Sequence, residues 1–254
     1  MAICRVVVNG AQRPATGKAT AGHYQGVYYF VPAGARPCSM RLIDSASVDP
    51  NDNVAFDTVL FRALEDNDTG ETLRFWESGR AAVIVGSFGA LGRQVHEEAC
   101  LIDDVPVIRR ASGGGAVVVA RGCLNYSLVL SLEARPELRD VRHSFGVILG
   151  RIVEALEIPA LAVRGDSDLA IDQRKVSGSA QRRGRRALLH HGTFLYAFDV
   201  PSIERYLKEP ERQPAYRAGR RHAAFVMNAP LGAETIKAAV RRAWDTPTDT
   251  SLRP

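Results

Sequence analysis

Three consecutive glycines at 113–115 lie in "IRRASGGGAVVVA" (residues 108–120), behind two arginines and ahead of a valine run. Adjacent glycines let the backbone approach a ligand closely, and successive N–H groups in such a turn form a nest for an anion. A Walker-type phosphate loop requires a Lys followed by Ser or Thr after its last glycine, and none follows here. A dinucleotide fingerprint runs into a helix, whereas Val117–Val119 favours a strand because β-branched side chains crowd a helical turn. The loop therefore reads as strand, glycines, strand. It suits either an anion nest with Arg109 or Arg110 adding a forked donor set, or a hairpin with no ligand.

A second group is Lys175 in "DLAIDQRKVSGSAQRR" (168–183). The chain has four lysines (18, 175, 208 and 237) against 29 arginines, so wherever a plain positive charge suffices it uses Arg. A lone Lys among Ser177, Gly178 and Ala180 points to a compact ammonium reaching into a site, against the plainer reading of a surface residue. The third group is "LLHHGTF" (188–194). Adjacent histidines on a strand face opposite ways, so His190 and His191 cannot chelate one metal and at most one enters a site. Cysteines 4, 38, 100 and 123 have neither disulfide-scaffold nor metal-finger spacing, which predicts reduced thiols and no structural metal.

The elements that must position these groups read as mixed α and β. Helical spacing predicts a helix over 53–65, capped by Asp52 or Asn53, and the clearest amphipathic helix over 140–156. "GRQVHEEACLI" predicts one short helix, Pro201 begins another, and "AETIKAAVRRAW" is the last. Strands are predicted at "AAVIVGSF", "VPVIRR", "AVVVA", "NYSLVLSL", "LAV", "DLAI", "RKVSGSAQRR" and "ALLHHGTFLYAF". Adjacent strand runs flanked by helices give an α+β fold with a mixed sheet.

The 254 residues are 46% hydrophobic and 24% charged, enough for one large domain with its own core. No apolar run approaches a membrane span, so a soluble, cytoplasmic protein is expected. The net charge of +5 invites a nucleic-acid reading. Residues 1–39, however, carry Arg5, Arg13, Lys18 and Arg36 with no acid, so the rest is nearly neutral and nucleic acid is not an expected partner. That segment is expected to be a disordered extension or an over-long start, with the domain at 40–245 and a flexible tail at 246–254. One basic stretch remains: residues 182–221 hold ten Arg or Lys against four acids. Such a patch suits an acidic protein partner or phosphates, or is a solvated face.

With "RRASGGGAVV", "GCLNYSLVL", "DLAIDQRKVSGSAQ" and "LLHHGTF" in that order, the sequence resembles the lipoate-protein ligase A type of the biotin/lipoate ligase superfamily, over roughly residues 40–228. The resemblance implies a catalytic domain around a mixed sheet and a U-shaped site for lipoyl-adenylate, with ATP and Mg²⁺ activating lipoate or octanoate. By its motifs, Arg110 and Ser112, Gly113, Gly114, Gly115 and Ala116 match the loop around the acyl and adenylate portions. Lys175, followed by Ser177 and Gly178, matches the lysine that bonds the phosphate and acyl oxygens. Asp168 matches the aspartate near phosphate and metal. His191, Gly192 and Thr193 match a pocket-lining strand, Val85 and Gly86 a strand end at the pocket wall, and Asn125 an asparagine of the "GN" region.

Three departures accompany the match. Where these ligases carry His-Asp before that glycine, this chain has Val119 and Ala120, and Cys123 replaces the first Asn. No cysteine lies between Ala155 and Lys175, where related octanoyltransferases place their nucleophile, leaving Cys123 as the alternative thiol for a thioester route. No accessory domain fits after Trp244, so a separate accessory subunit, and hence a split ligase, is a further expectation. The implied partners are lipoyl carrier domains of 2-oxoacid dehydrogenases or the glycine cleavage H protein, with the 182–221 stretch as their dock.

Overall fold

The computed structural model describes residues 40–66 and 69–245; the expected extension (1–39) and tail (246–254) lie outside them. Along the chain come β1 (Arg41–Asp44), α1 (Pro50–Glu65), β2 (Thr72–Glu77), β3 (Ala82–Val85), α2 (Leu91–Gln94) and α3 (Glu97–Ile102). Next are β4 (Val107–Arg109), β5 (Val117–Val119), β6 (Cys123–Ser131), α4 (Val141–Leu156), β7 (Leu161–Arg164) and β8 (Asp168–Ile171). Then follow β9 (Arg174–Arg183), β10 (Ala187–Leu195), α5 (Ser202–Tyr206), α6 (His222–Phe225) and α7 (Ala233–Asp245). Seven strands form one sheet in the order β1-β2-β6-β10-β9-β8-β7, and three form another, β4-β3-β5. β1–β2 and β3–β4 pair parallel and the remaining neighbours antiparallel, so the mixed-sheet α+β expectation holds.

Helices cover both faces of the large sheet. α4 starts where Asp140 accepts from His143 N at 2.7 Å, and it buries Ile148, Leu149, Ile152 and Leu156 in a core shared with Ile236 and Val240 of α7. The other face is covered by α1, whose Leu60, Phe61 and Leu64 pack on Val129 and Leu189. A third cluster surrounds the small sheet.

Several boundaries differ from expectation. α1 begins at Pro50, capped by Asp49, which accepts from Asn51 N at 2.9 Å. Proline's fixed φ and missing N–H suit the first helical turn. Asn53, expected as a cap, instead points inward at 1% exposure and donates to Ser47 O at 2.8 Å. "GRQVHEEACLI" is two short helices because Val95 is extended and bridges Leu207. β1 and β2 were not anticipated. In β2, "TLRFWE", the first five residues are buried, the polar Thr72 and Arg74 included, so both faces of the strand are covered although one carries a charge.

Candidate active site

The register of the large sheet sets Trp76, Asn125, Thr193, Gly178 and Asp168 side by side on five successive strands. Two residues along, Arg74, Ser127, His191 and Ala180 form a second row on the same face. With strands about 4.8 Å apart, the first row runs roughly 19 Å from β2 to β8. A cavity of about 200 Å³ lies over these rows, walled by Val54 and Asp57 of α1, Ile84 of β3 and the Gly114–Val117 segment.

The two arginines build the glycine loop from behind. Arg109 donates to the carbonyls of Gly86 (2.7 Å), Ser87 (3.2 Å) and Gly89 (3.1 Å). Arg110 is buried and donates to Ser112 Oγ (2.9 Å) and to the carbonyls of Gly113 (2.6 Å) and Gly115 (2.9 Å). Burial pushes its guanidinium down to about 10, so it stays charged at neutral pH. A trans peptide sets its N–H opposite its C=O, so this pairing turns the N–H groups of Gly114 and Ala116 away from Arg110. A Cβ on Gly86 would stand 2.2 Å from Gly114 O, and Gly114 itself has φ +92°; neither position admits a side chain. The expectation that these arginines lend a free donor fork is thus corrected: their donors hold the loop's shape.

At the β8–β9 end, Lys175 Nζ lies 2.7 Å from Asp168 Oδ1, and Tyr216 donates to Asp168 Oδ2 at 2.8 Å. Burial first, and then the Asp168 charge, raises the Tyr216 phenol, which stays protonated. In a regular strand Lys175 and Gly178 face opposite sides. A β-bulge resets the alternation, since Leu169 pairs Ser177 while Ala170 pairs Lys175. Lys175 therefore folds over Gly178, where a Cβ would lie 2.6 Å from both Cε and Nζ.

On the second row stands a polar chain that begins at α1. Asp57 accepts from Arg74 (2.6 Å) and Ser127 (2.6 Å), and its Oδ2 lies 3.4 Å from His191 Nδ1. His191 Nε2 in turn lies 2.6 Å from Ser112 Oγ. Ser112 Oγ, which also accepts from Arg110 Nε, and Asp57 thus flank the two ring nitrogens of His191. Burial works against ionised Asp57, but His191 and Arg74 outweigh it and hold the carboxyl below its ordinary value. His190 faces α4, fully buried beside Tyr126 OH (3.2 Å) and Gln181 (3.1 Å). Burial, then the neighbouring His191, pushes its ring down to about 3, so it stays neutral. The two histidines do diverge, and His191 is the one at the cavity.

The family described as "Lipoyl protein ligase A/B catalytic domain" matches residues 49–232, which hold all of these groups. The chain belongs to that family. Among its relatives, the putative lipoate-protein ligase A of Schizosaccharomyces pombe is 30% identical over 67% of this chain and 45% of its own length. The octanoyltransferase LipM of an Exiguobacterium species is 32% identical over 63% of this chain and 66% of its own length. The chain thus spans from under half to about two thirds of the length of these relatives. The fold is shared with the bi-partite lipoate protein ligase of Thermoplasma acidophilum, described with its E2 lipoyl domain (TM-score 0.67, 23% identity, 80% of this chain and 81% of that one). It is likewise shared with a lipoate-protein ligase A bound with ATP (TM-score 0.67, 21% identity, 80% and 83%).

Within this lipoyl ligase A/B domain, Arg110, Gly114, Gly115, Ala116, Asn125, Asp168, Lys175, Gly178, His191, Gly192 and Thr193 all line the cavity. Val85, Gly86, Ser112, Gly113 and Ser177 are not among the lining residues. Asp57, Trp76 and Ser127 line it without having been anticipated. Asp57 had left one sign: a carboxylate on the helix face that also carries Val54, Leu60, Phe61 and Leu64.

Cys123 is corrected as a nucleophile. It is fully buried and off the cavity, and burial, then the Glu77 charge, pushes its thiol up to about 12. Mg²⁺ at Asp168 does not fit as a resident ion. Both carboxylate oxygens already accept protein donors, and among the described residues no three His, Cys, Asp or Glu side chains gather. The glycine loop and Lys175 fit an anionic phosphate in residue type, because the N–H groups of Gly114 and Ala116 are turned away from Arg110 and both residues line the same cavity as the lysine.

Most charges of the 182–221 stretch have partners within the chain. Arg205 pairs with Asp103, Arg217 with Glu209, Arg221 with Glu204 and Arg186 with Glu133. Arg182, Arg183, Lys208 and Arg220 donate to backbone carbonyls. Eight of the ten thus have a partner in the chain, several of them while remaining exposed. No helix among the described residues is long and apolar enough to cross a membrane.

Proposed function

We propose that the chain is an ATP-dependent ligase that activates lipoate or octanoate as an acyl-adenylate and transfers the acyl group to a lysine of a lipoyl carrier domain. The observation that carries this reading is the Lys175 side chain at one end of a sheet-spanning cavity whose wall also holds Gly114, Gly115 and Ala116 of the glycine loop, while Cys123 is buried and off that cavity. In the first step a carboxylate oxygen bonds the α-phosphorus of ATP and pyrophosphate leaves. Negative charges meet there, and a preorganised ammonium and N–H groups offset them more in the transition state than in the separated reactants. In the second step the carrier's ε-amine bonds the acyl carbon, AMP leaves with the electrons of the broken C–O bond, and the amine loses a proton.

ATP in one related structure, and a lipoyl domain beside a bi-partite ligase in another, support the choice of nucleotide and acceptor class. The bi-partite relative also favours a separate accessory subunit. The alternative is octanoyl transfer through a thioester, as the octanoyltransferase relatives suggest, and it loses support because Cys123 is buried. The test is intact-mass detection of an acylated lipoyl domain with three donors: ATP plus lipoate, synthetic lipoyl-adenylate, and octanoyl-acyl-carrier protein. Wild type and Cys123→Ser are both expected to use lipoyl-adenylate, with the serine variant retaining most of the rate. Activity with the third donor alone, lost in Cys123→Ser, would overturn the ligase reading. Activity with the second donor but not the first would show that a partner chain supplies activation.

A further inference from the structure

The chain from Tyr216 to Met227, which carries α6, holds Lys175 and its neighbour Arg174 at three points. Met227 N donates to Lys175 O at 2.9 Å, and Arg174 donates to Val226 O at 2.9 Å, tying the strand to the end of α6. The third point is the side chain itself, through Tyr216 and Asp168. Tyr216 is well fixed. Its ring lies 5.1 Å from that of Phe225, and Arg220 donates to its carbonyl at 2.8 Å. Neither the glycine loop nor the sheet rows explain why a tyrosine hydroxyl should sit on the lysine's counter-ion.

We propose that Tyr216 is a positioning residue for Lys175 that acts through Asp168. By occupying Oδ2, its hydroxyl fixes the carboxylate so that only Oδ1 faces the ammonium. Lys175 is parked by one oxygen and can turn its remaining protons to an incoming anion, while Asp168 stays in place. Without the hydroxyl, the carboxylate is free to rotate, to follow the ammonium and to compete with the substrate for it. A hydrogen bond to a charged group is worth enough to change a rate by about tenfold or more. Tyr216→Phe keeps the ring and its packing on Phe225 and removes only the donor.

The proposal rests on the ligase reading for its activity arm, so the test has a second arm that does not. Four forms of the full chain are compared: wild type, Tyr216→Phe, Asp168→Asn and the double variant. In the first arm, acylation of a lipoyl domain from lipoyl-adenylate is measured. Tyr216→Phe is expected to lower kcat about tenfold with little change in KM, and to have less than about a twofold effect once Asp168 is Asn. In the second arm, peptide mass spectrometry follows acetylation of Lys175 by an amine-reactive ester, with Lys208 and Lys237 as internal references. Tyr216→Phe should change the Lys175 rate several-fold relative to both references, and only when Asp168 is present.

Equal effects of Tyr216→Phe in both backgrounds would overturn the proposal, leaving Tyr216 as packing for its own segment. So would an unchanged Lys175 labelling rate in the single variant, which decides the matter even if Asp168→Asn fails to fold. A wild type inactive with every donor, yet showing the Asp168-dependent labelling change, would sink the ligase reading and leave the positioning role standing.

Discussion

Lys175 and Arg110 carry the same charge at one cavity and are not interchangeable. Arg110 serves as a planar fork, reaching Ser112 and two loop carbonyls at once. Lys175 folds over Gly178 through the space a Cβ would occupy, and a guanidinium there would be bulkier and would spread its charge over a planar fork. Lys175→Arg is therefore expected to keep the thermal melt and to lose on the order of 10² to 10³ in the acylation rate, the cost of one transition-state donor. A rate near wild type would remove Lys175 from the chemistry. The motif placed this lysine near the site, but its face depends on the bulge, and the bulge depends on pairing with β8.

At the scale of elements, α1 and β2 are joined by one buried ion pair, Asp57 with Arg74, both at most 5% exposed as side chains. That pair also hides β2 from the sequence, because a charged residue in the middle of "TLRFWE" breaks the apolar pattern until its partner on α1 is known. Asp57→Asn leaves Arg74 buried without its counter-charge, a loss of about 3–5 kcal/mol. Urea unfolding at neutral pH measures it. The pH dependence follows from the sign of the shift. A carboxyl lowered by folding adds stability above its ordinary value, 3.8 for Asp57, and loses it as pH falls through the folded value. The gap between wild type and Asp57→Asn should thus narrow on acidification below 3.8. A gap constant with pH would mean that the ionised form is not what stabilises the fold.

At the scale of the whole molecule, most of the charges that read along the sequence as a docking face have partners within the chain. The β9–β10 turn among them is held through its backbone. Glu65, at the end of α1, accepts from the backbone N–H groups of Arg185 (2.8 Å), Arg186 (3.1 Å) and Ala187 (2.9 Å). These bonds, with the nearby Arg185 charge, hold the Glu65 carboxyl below its ordinary value against a small desolvation cost. Glu65→Ala should lower stability by about 1–2 kcal/mol and the melting temperature by about 4 °C, as scanning calorimetry would record. An unchanged melt would make the turn self-supporting. Reversing Arg185 and Arg186 to glutamate would face Glu65 with like charge, so a loss of carrier docking in that variant has to be read beside its melt.

The sequence alone determined what is set by local chemistry. Three glycines before a β-branched run required a strand-flanked loop, two adjacent histidines on a strand required opposite faces, and the amphipathic repeat of 140–156 required a helix against a core. Each follows from neighbours within a few residues. The tertiary structure decided what depends on partners far along the chain. Asp57 reaches His191 across 134 residues, and Tyr216 reaches Asp168 across 48. Cys123 is set off the cavity only by burial beneath other elements, and Arg109 and Arg110 become scaffolding only when β3 and the glycine loop stand beside them. Burial, strand register and charge pairing are properties of the packed sheet, so residue types can nominate a site, but only the packing determines which of them face it.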